Sequence, residues 1–246
     1  MIEYHQSVDS TNNRAKELAR DGMPEGTAVV SREQTAGRGR LGRSFHSPEG
    51  QGLYFSLILR PDCPPAQLMH LTCAVAVATC DAVSDVTGFR PGVKWINDLI
   101  AKNKKLGGIL TELSVSPTTG LVEWAVVGIG INLCQTEFPP ELSEIACSLA
   151  QITGSVPNPH QLTQALLERL MQMSQQLLSH QSDIMECYRR DCVTLGKRIT
   201  VISPEPRQAI ALDVADDGAL LVDYGDGILK KVNAGEVSVR GLMGYA

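Results

Sequence analysis

Between two β-branched or apolar runs, TAVVSR at 27–32 and LYFSLIL at 53–59, lies an eighteen-residue stretch, 34–51, that carries three arginines and no apolar periodicity. A segment whose apolar residues recur neither every second nor every third or fourth position packs neither as a strand nor as a helix. A long loop is therefore predicted, and a loop of this length inside a folded unit is either disordered or functional. Disorder has no compositional support: of 246 residues, 43% are hydrophobic and 20% charged, enough apolar material for a sizeable core. The length exceeds one average domain of ~150 residues and predicts one large domain with a small appendage.

Patterns on either side of the loop give the organisation. In DSTNNRAKELARDG, from Asp9, Ser10 or Thr11 can cap a helix with Ala15, Leu18 and Ala19 on one face and Gly22 as the stop. Residues 68–86 place Leu68, Leu71, Val75, Ala78 and Ala82 on one stripe and predict a buried helix ending near Gly88. Strands are expected at 92–96, 108–113 and 124–133, the first two joined by a hairpin whose polar tip lies in NDLIAKNKKL. Helical periodicity returns over 142–152 and 162–190. Beyond Gly196 the chain changes to short alternating strands with turns at Asp217-Gly218 and Asp226-Gly227, which predicts a small SH3-like β-barrel. The predicted domains are 1–194 and 195–246.

Charge and cysteine usage narrow the class. Lys plus Arg number 22 against 27 Asp plus Glu, a net charge of −5, whereas general nucleic-acid binders carry a basic surplus, so no nucleic-acid partner is expected. Seven cysteines without a CxxC pair read as reduced thiols of a cytoplasmic protein. No run approaches ~18 apolar residues and the N-terminus has no apolar signal core, so no membrane partner is expected. The five histidines lack metal-ligand spacing, leaving metal ligands at none. No GxSxG string marks a nucleophile elbow, and no Lys-Ser or Lys-Thr follows the glycines as a P-loop requires.

Three strings can carry chemistry. In AGRGRLGR, Arg38, Arg40 and Arg43 alternate with Gly37, Gly39 and Gly42, mounting bidentate guanidinium groups on a backbone able to wrap closely round an anion; the bland alternative is a solvated basic loop. Lys105 stands directly before Leu106-Gly107-Gly108, where it either faces a pocket or, like Lys102 and Lys104, solubilises a hairpin tip. Asn132 ends GIGINL, a polar group closing an apolar run, which must find a partner or a ligand. The string misses the GxGxxG dinucleotide fingerprint.

In order, DSTN, QTAGRGRLGR, GLYFSLILRP, VKWIND, KKLGGIL, GIGINL and a C-terminal GEVSVR resemble the biotin protein ligases over essentially the whole chain, most densely from 9 to 133. The resemblance implies an α+β fold, with a class II synthetase-like mixed sheet and flanking helices followed by the SH3-like barrel. It implies two half-reactions: biotin and ATP give biotinyl-5′-AMP and pyrophosphate, with Mg²⁺ as cofactor, and a lysine of a biotin carboxyl carrier protein of acetyl-CoA carboxylase then takes the biotinyl group. By this likeness Ser10, Thr11, Asn12 and Gln34 recognise the biotin head group, while Arg38, Gly39 and Arg40 clamp carboxylate and phosphate. Lys105, followed by Gly107, holds the carboxyl oxygen, and Arg38, Arg40 and Lys105 form the catalytic set. Asn97, Asn132 and Arg240 lie at the nucleotide together with the two arginines. Ile96 departs from the usual KWPND, where proline stands, and predicts a less rigid turn before Asn97. Only eight residues precede DSTN, which fits the single-function type without an N-terminal DNA-binding domain. The likeness also allows a homodimer formed by extending the sheet. The alternative reading is a lipoate or octanoate ligase or transferase of the same fold, against which no RRxxGGG-like string is found.

Overall fold

The computed structural model describes residues 1–202 and 205–233, together with the backbone of 239–241. Seven strands, β1 (Ile2–His5), β2 (Ala28–Ser31), β3 (Gly52–Leu59), β4 (Gly92–Lys94), β5 (Asp98–Ala101), β6 (Lys104–Val115) and β7 (Val122–Asn132), form one sheet in the order β1-β2-β3-β7-β6-β5-β4. The β1–β2 pair is parallel and the others antiparallel, so the sheet is mixed, as expected.

Helices cover both faces, which explains why β3 reads as an unbroken apolar run. On one face α1 (Thr11–Arg20) buries Ala15, Leu18 and Ala19 against Val29, Ile58, Trp124 and Val126. On the other, α2 (Leu71–Thr87) is buried almost all round, among the sheet, α5 (Pro159–Gln176) and α6 (Gln181–Asp191). Gly88, at φ 70°, ends α2 in the left-handed conformation that glycine adopts freely. The expectation that no stretch reaches membrane-spanning length is corrected here: 65–87 is long and apolar enough by length and composition. Two thirds of its most apolar 18-residue stretch lies buried inside the protein, as in a core helix.

Other differences are local. NDLIAKNKKL is more than a connection, because Asp98–Ala101 forms β5; the turn is tight, with Lys102 and Asn103 at φ 47° and 60°. Residues 142–152 divide into the end of α3 (Pro140–Ser143) and α4 (Leu149–Thr153), the latter started by a capping box between Ser148 and Gln151. The expected helical stretch 162–190 breaks into α5 and α6 after Gln176. β1 had no sequence signal beyond four residues.

The last strands, β8 (Arg198–Val201), β9 (Arg207–Val214), β10 (Leu220–Asp223), β11 (Leu229–Val232) and β12 (Val239–Gly241), form a five-stranded antiparallel sheet, β11-β10-β9-β8-β12. Its turns include Gly218 and Gly227, at φ 84° and 71°. It is tied to the segment after β4 and to α6: Trp95 Nε1 donates to the Gly218 carbonyl at 2.9 Å, and Arg189 Nε to that of Val214 at 2.7 Å.

Candidate active site

The face of the sheet that carries α1 also carries a cleft of about 770 Å³. Strand register builds its floor: Gly128 of β7 lies between Ser56 of β3 and Leu110 of β6, and Gly130 lies beside Gly108. A Cβ on Gly128 would stand 1.9 Å from Asn12 Oδ1, and one on Gly130 would stand 2.5 Å from the Phe45 ring. The glycines of GIGIN therefore exist to let two side chains lie flat on the strand.

At the N-terminus of α1 a largely buried polar network reaches the cleft through Ser10, Thr11, Asn12 and Gln34. Gln34 Oε1 accepts from the Thr11 backbone N–H at 2.9 Å and from its hydroxyl at 3.1 Å, while Gln34 Nε2 donates to Ser47 Oγ at 2.9 Å. Ser56 Oγ lies 2.8 Å from Thr11 Oγ1 and 2.6 Å from Asn12 Oδ1. Ser10, Thr11 and Asn12 are all buried.

The long loop is folded on itself by Gly39 N–H to Arg43 carbonyl and Phe45 N–H to Gly37 carbonyl bonds of 2.7 and 2.9 Å. It aims its arginines inward. Arg38 Nη1 donates to Asn13 Oδ1 at 3.0 Å and to Glu112 Oε1 at 3.2 Å. Arg40 Nη1 donates to Asn97 Oδ1 at 3.1 Å, and burial pulls its guanidinium pKa below the ordinary value. Lys105 Nζ pairs with Asp98 Oδ1 at 2.7 Å and sits 5.8 Å from the Phe45 ring centroid. Burial also lowers Lys94. In all, Arg38, Arg40, Arg43, Lys94 and Lys105 line the cleft against Asp98 and Glu144, an electropositive pocket in an acidic chain.

The fold thus brings Ser10, Thr11, Asn12, Gln34, Arg38, Gly39, Arg40, Asn97 and Lys105 to one cleft. It does not bring Asn132 or Gly107 to its lining. Asn132 is buried, donating to the Cys147 carbonyl at 2.9 Å and accepting from Gln135 Nε2 at 3.4 Å, so both its partners belong to the protein. A Cβ on Gly107 would lie 2.4 Å from the Gly130 carbonyl, so this glycine serves close strand approach. Arg240 stands on β12 opposite Thr200, and its side chain lies outside the described residues. Asn97 is anchored to β6 by Nδ2 and carbonyl bonds to Ile109, both 2.9 Å, and the Trp95–Ile96 peptide is cis.

Reading the sequence missed Phe45, Ser56, Lys94, Asp98 and Glu112. Ser56 had a signal, as the one small polar residue in LYFSLIL; Glu112 had the period of two from Gly108 through Leu110. Pairing of Asp98 with Lys105 depends on the β5–β6 register, which no local pattern revealed.

A cleft with a hydrogen-bonding wall and converging cations defines a site for a ligand that carries both polar groups and negative charge. Residues 4–132 match the biotin/lipoate A/B protein ligase family, and 194–240 match the biotin protein ligase C-terminal domain. The chain belongs to the biotin/lipoate A/B protein ligase family. It is 36% identical to the bifunctional ligase/repressor BirA of Bacillus subtilis, covering 96% of this chain and 73% of that protein. It is 31% identical to the biotin–(acetyl-CoA-carboxylase) ligase of Mycobacterium tuberculosis, over 87% of this chain and 79% of that one. The biotin protein ligase of Aquifex aeolicus in complex with biotin and ATP superposes with a TM-score of 0.84 at 28% identity, covering 98% of both chains.

Proposed function

We infer that this chain activates biotin with ATP to biotinyl-5′-AMP and transfers the biotinyl group to a lysine of the carboxyl carrier protein of acetyl-CoA carboxylase. The observation that carries the reading is the joining, in one cleft, of Thr11, Asn12 and Gln34, with the buried Ser56 hydroxyl bonded behind them, with Arg38, Arg40 and Lys105.

Adenylation brings a carboxylate against a triphosphate. A carboxylate oxygen bonds to the α-phosphorus, the bond to the bridging oxygen breaks, and pyrophosphate leaves with the electron pair. Arg38 and Arg40 offset the repulsion and hold the two anions in line, since cations aimed at developing charge act strongly in a desolvated cleft. Lys105 donates from a compact ammonium to the carboxyl oxygen, first as it attacks and then as the acceptor amine adds to the acyl carbon, loses its proton and expels AMP. Mg²⁺ bound with substrate phosphates needs only one or two protein carboxylates. Asp98 and Glu144 are the acidic side chains of the cleft and would hold it, where it would neutralise phosphate charge.

In this reading residues 1–194 form the catalytic unit, and 195–246 dock on it and bring Arg240 to the nucleotide. The protein works in the cytoplasm without nucleic acid or membrane, and β1 stands at the sheet edge where a second copy could extend it. The test is exchange of labelled pyrophosphate into ATP. Biotin should support it and lipoate and octanoate should not; exchange driven by lipoate or octanoate and not by biotin would overturn the assignment.

A further inference from the structure

Glu112 lies outside the lining of the cleft yet touches three groups around it. Its carboxylate accepts from Asn12 Nδ2 at 3.0 Å, from Lys16 Nζ at 2.9 Å and from Arg38 Nη1 at 3.2 and 3.4 Å. Burial alone would raise its pKa, but hydrogen bonds from Lys16 and Asn12, with the charges of Lys16 and Arg38, hold it below the ordinary value. Ionised, it is acceptor only.

The consequence falls on Asn12, which is 4% exposed. Its Nδ2 spends both protons on strand β6, on Glu112 and on the Leu110 carbonyl at 3.2 Å. A flipped amide would set Oδ1 against a carboxylate and a carbonyl, two acceptors facing a third. Oδ1 is thereby fixed over Gly128 in the floor, where it receives Ser56 Oγ and keeps a free lone pair. The Thr11 hydroxyl proton is engaged by Gln34 Oε1. What this part of the wall offers a ligand is therefore acceptor capacity.

We propose that Glu112 is a positioning residue for substrate selection: by locking the Asn12 amide with its oxygen toward the cleft, it makes the wall demand an N–H donor from the head group. This rests on the biotin reading of the cleft. A cyclic urea supplies two N–H donors, whereas a dithiolane ring or an alkyl chain supplies none. A site built to pair a substrate N–H rejects the analogue lacking it far more strongly than an apolar pocket does.

The test is pyrophosphate exchange by the full chain with biotin and with lipoate as alternative acids, comparing the parent with Glu112→Gln, Glu112→Asp and Lys16→Ala. Glutamine can donate as well as accept, so it removes the stronger of the two acceptors that hold the amide and leaves only the Leu110 carbonyl against the flip. The biotin KM should rise on the order of tenfold, as for loss of a charge-assisted hydrogen bond, with kcat changed far less and the ratio of biotin to lipoate kcat/KM reduced. Glu112→Asp keeps an acceptor-only group and should retain more of that ratio than Gln. Lys16→Ala, which removes the cation that most helps keep Glu112 ionised without touching the amide, should lower the ratio in the same direction but less than Glu112→Gln. A parent that exchanges with biotin, beside a Glu112→Gln variant of unaltered ratio, would overturn this inference alone. A parent without biotin-dependent exchange would overturn the functional reading, and this inference with it. A general loss of folding would lower every rate together and move neither the ratio nor the split between KM and kcat, which would also contradict the assignment.

Discussion

Lys105 and Lys104 are neighbours with opposite surroundings. The first pairs with Asp98 inside the cleft, while the second donates from an exposed position to the Ser143 carbonyl at 3.0 Å. Lys105→Ala should lower turnover by on the order of 10²–10³, the cost of one donor acting mainly in the transition state, with a smaller effect on the biotin KM. Lys104→Ala should do neither, and steady-state kinetics on both variants checks it. Arginine at 105 should rescue poorly, since a planar fork cannot place its charge where an ammonium sat. Gly128→Ala tests the floor in a different way. Its methyl group falls on Asn12 Oδ1, and a displaced Asn12 should abolish biotin binding by calorimetry while the fold survives. Residues with distinctive chemistry in a glycine-rich string, such as Arg38, Arg40 and Lys105, were legible in the sequence. Those whose role depends on a partner across the sheet were not, because Asp98 and Glu112 meet Lys105 and Arg38 only through strand register and loop folding. Asn132 shows the converse: a polar residue closing an apolar strand must be satisfied, but the sequence does not say whether by ligand or by the Cys147 carbonyl.

Among the elements, β3, β7 and α2 could be read directly, since burial on every side leaves a long apolar record. β5 could not, because four residues between a turn and a cis peptide carry too short a pattern. The α5–α6 break was hidden because apolar spacing continues across it. Asp191, at the end of α6, is buried and holds Arg90 and Arg190, and Arg90 also pairs with Asp81 of α2 at 2.6 Å. Burial would raise the Asp191 pKa, but hydrogen bonds from Arg90 and Arg190 bring it below the usual 3.8. A carboxyl depressed in the folded state adds stability that is complete above its unfolded pKa and is lost as pH falls through the folded one. Acid should thus loosen α6 from α2 below about pH 4. Asp191→Asn should cost roughly 3 kcal/mol, at the low end for a broken buried pair because Arg90 is partly exposed, and should flatten the acid limb of a denaturation series. Parallel acid limbs would contradict it.

For the molecule as a whole, the small sheet and the large one share a continuous core, with Ile199, Ala211 and Leu220 in the same cluster as α2 and β4. The Trp95–Gly218 bond spans them beside the cleft. Trp95→Phe should cost about 1–3 kcal/mol through a buried carbonyl left unsatisfied, a fall in Tm of about 2–4 °C per kcal/mol for a chain of this size. An unchanged melt would show that the bond contributes nothing. The change of strand pattern after Gly196 was plain in the sequence. How the two parts seat against each other was not, since it rests on single tertiary bonds. The complete reaction is the measurement that bears most directly on the account: the chain incubated with biotin, ATP, Mg²⁺ and an isolated carboxyl carrier domain, and the acceptor weighed. One biotinyl group on one lysine, with one AMP and one pyrophosphate released per transfer and none when biotin is replaced by lipoate, is the predicted result. An unmodified acceptor, or one that gains a lipoyl group instead, would contradict it.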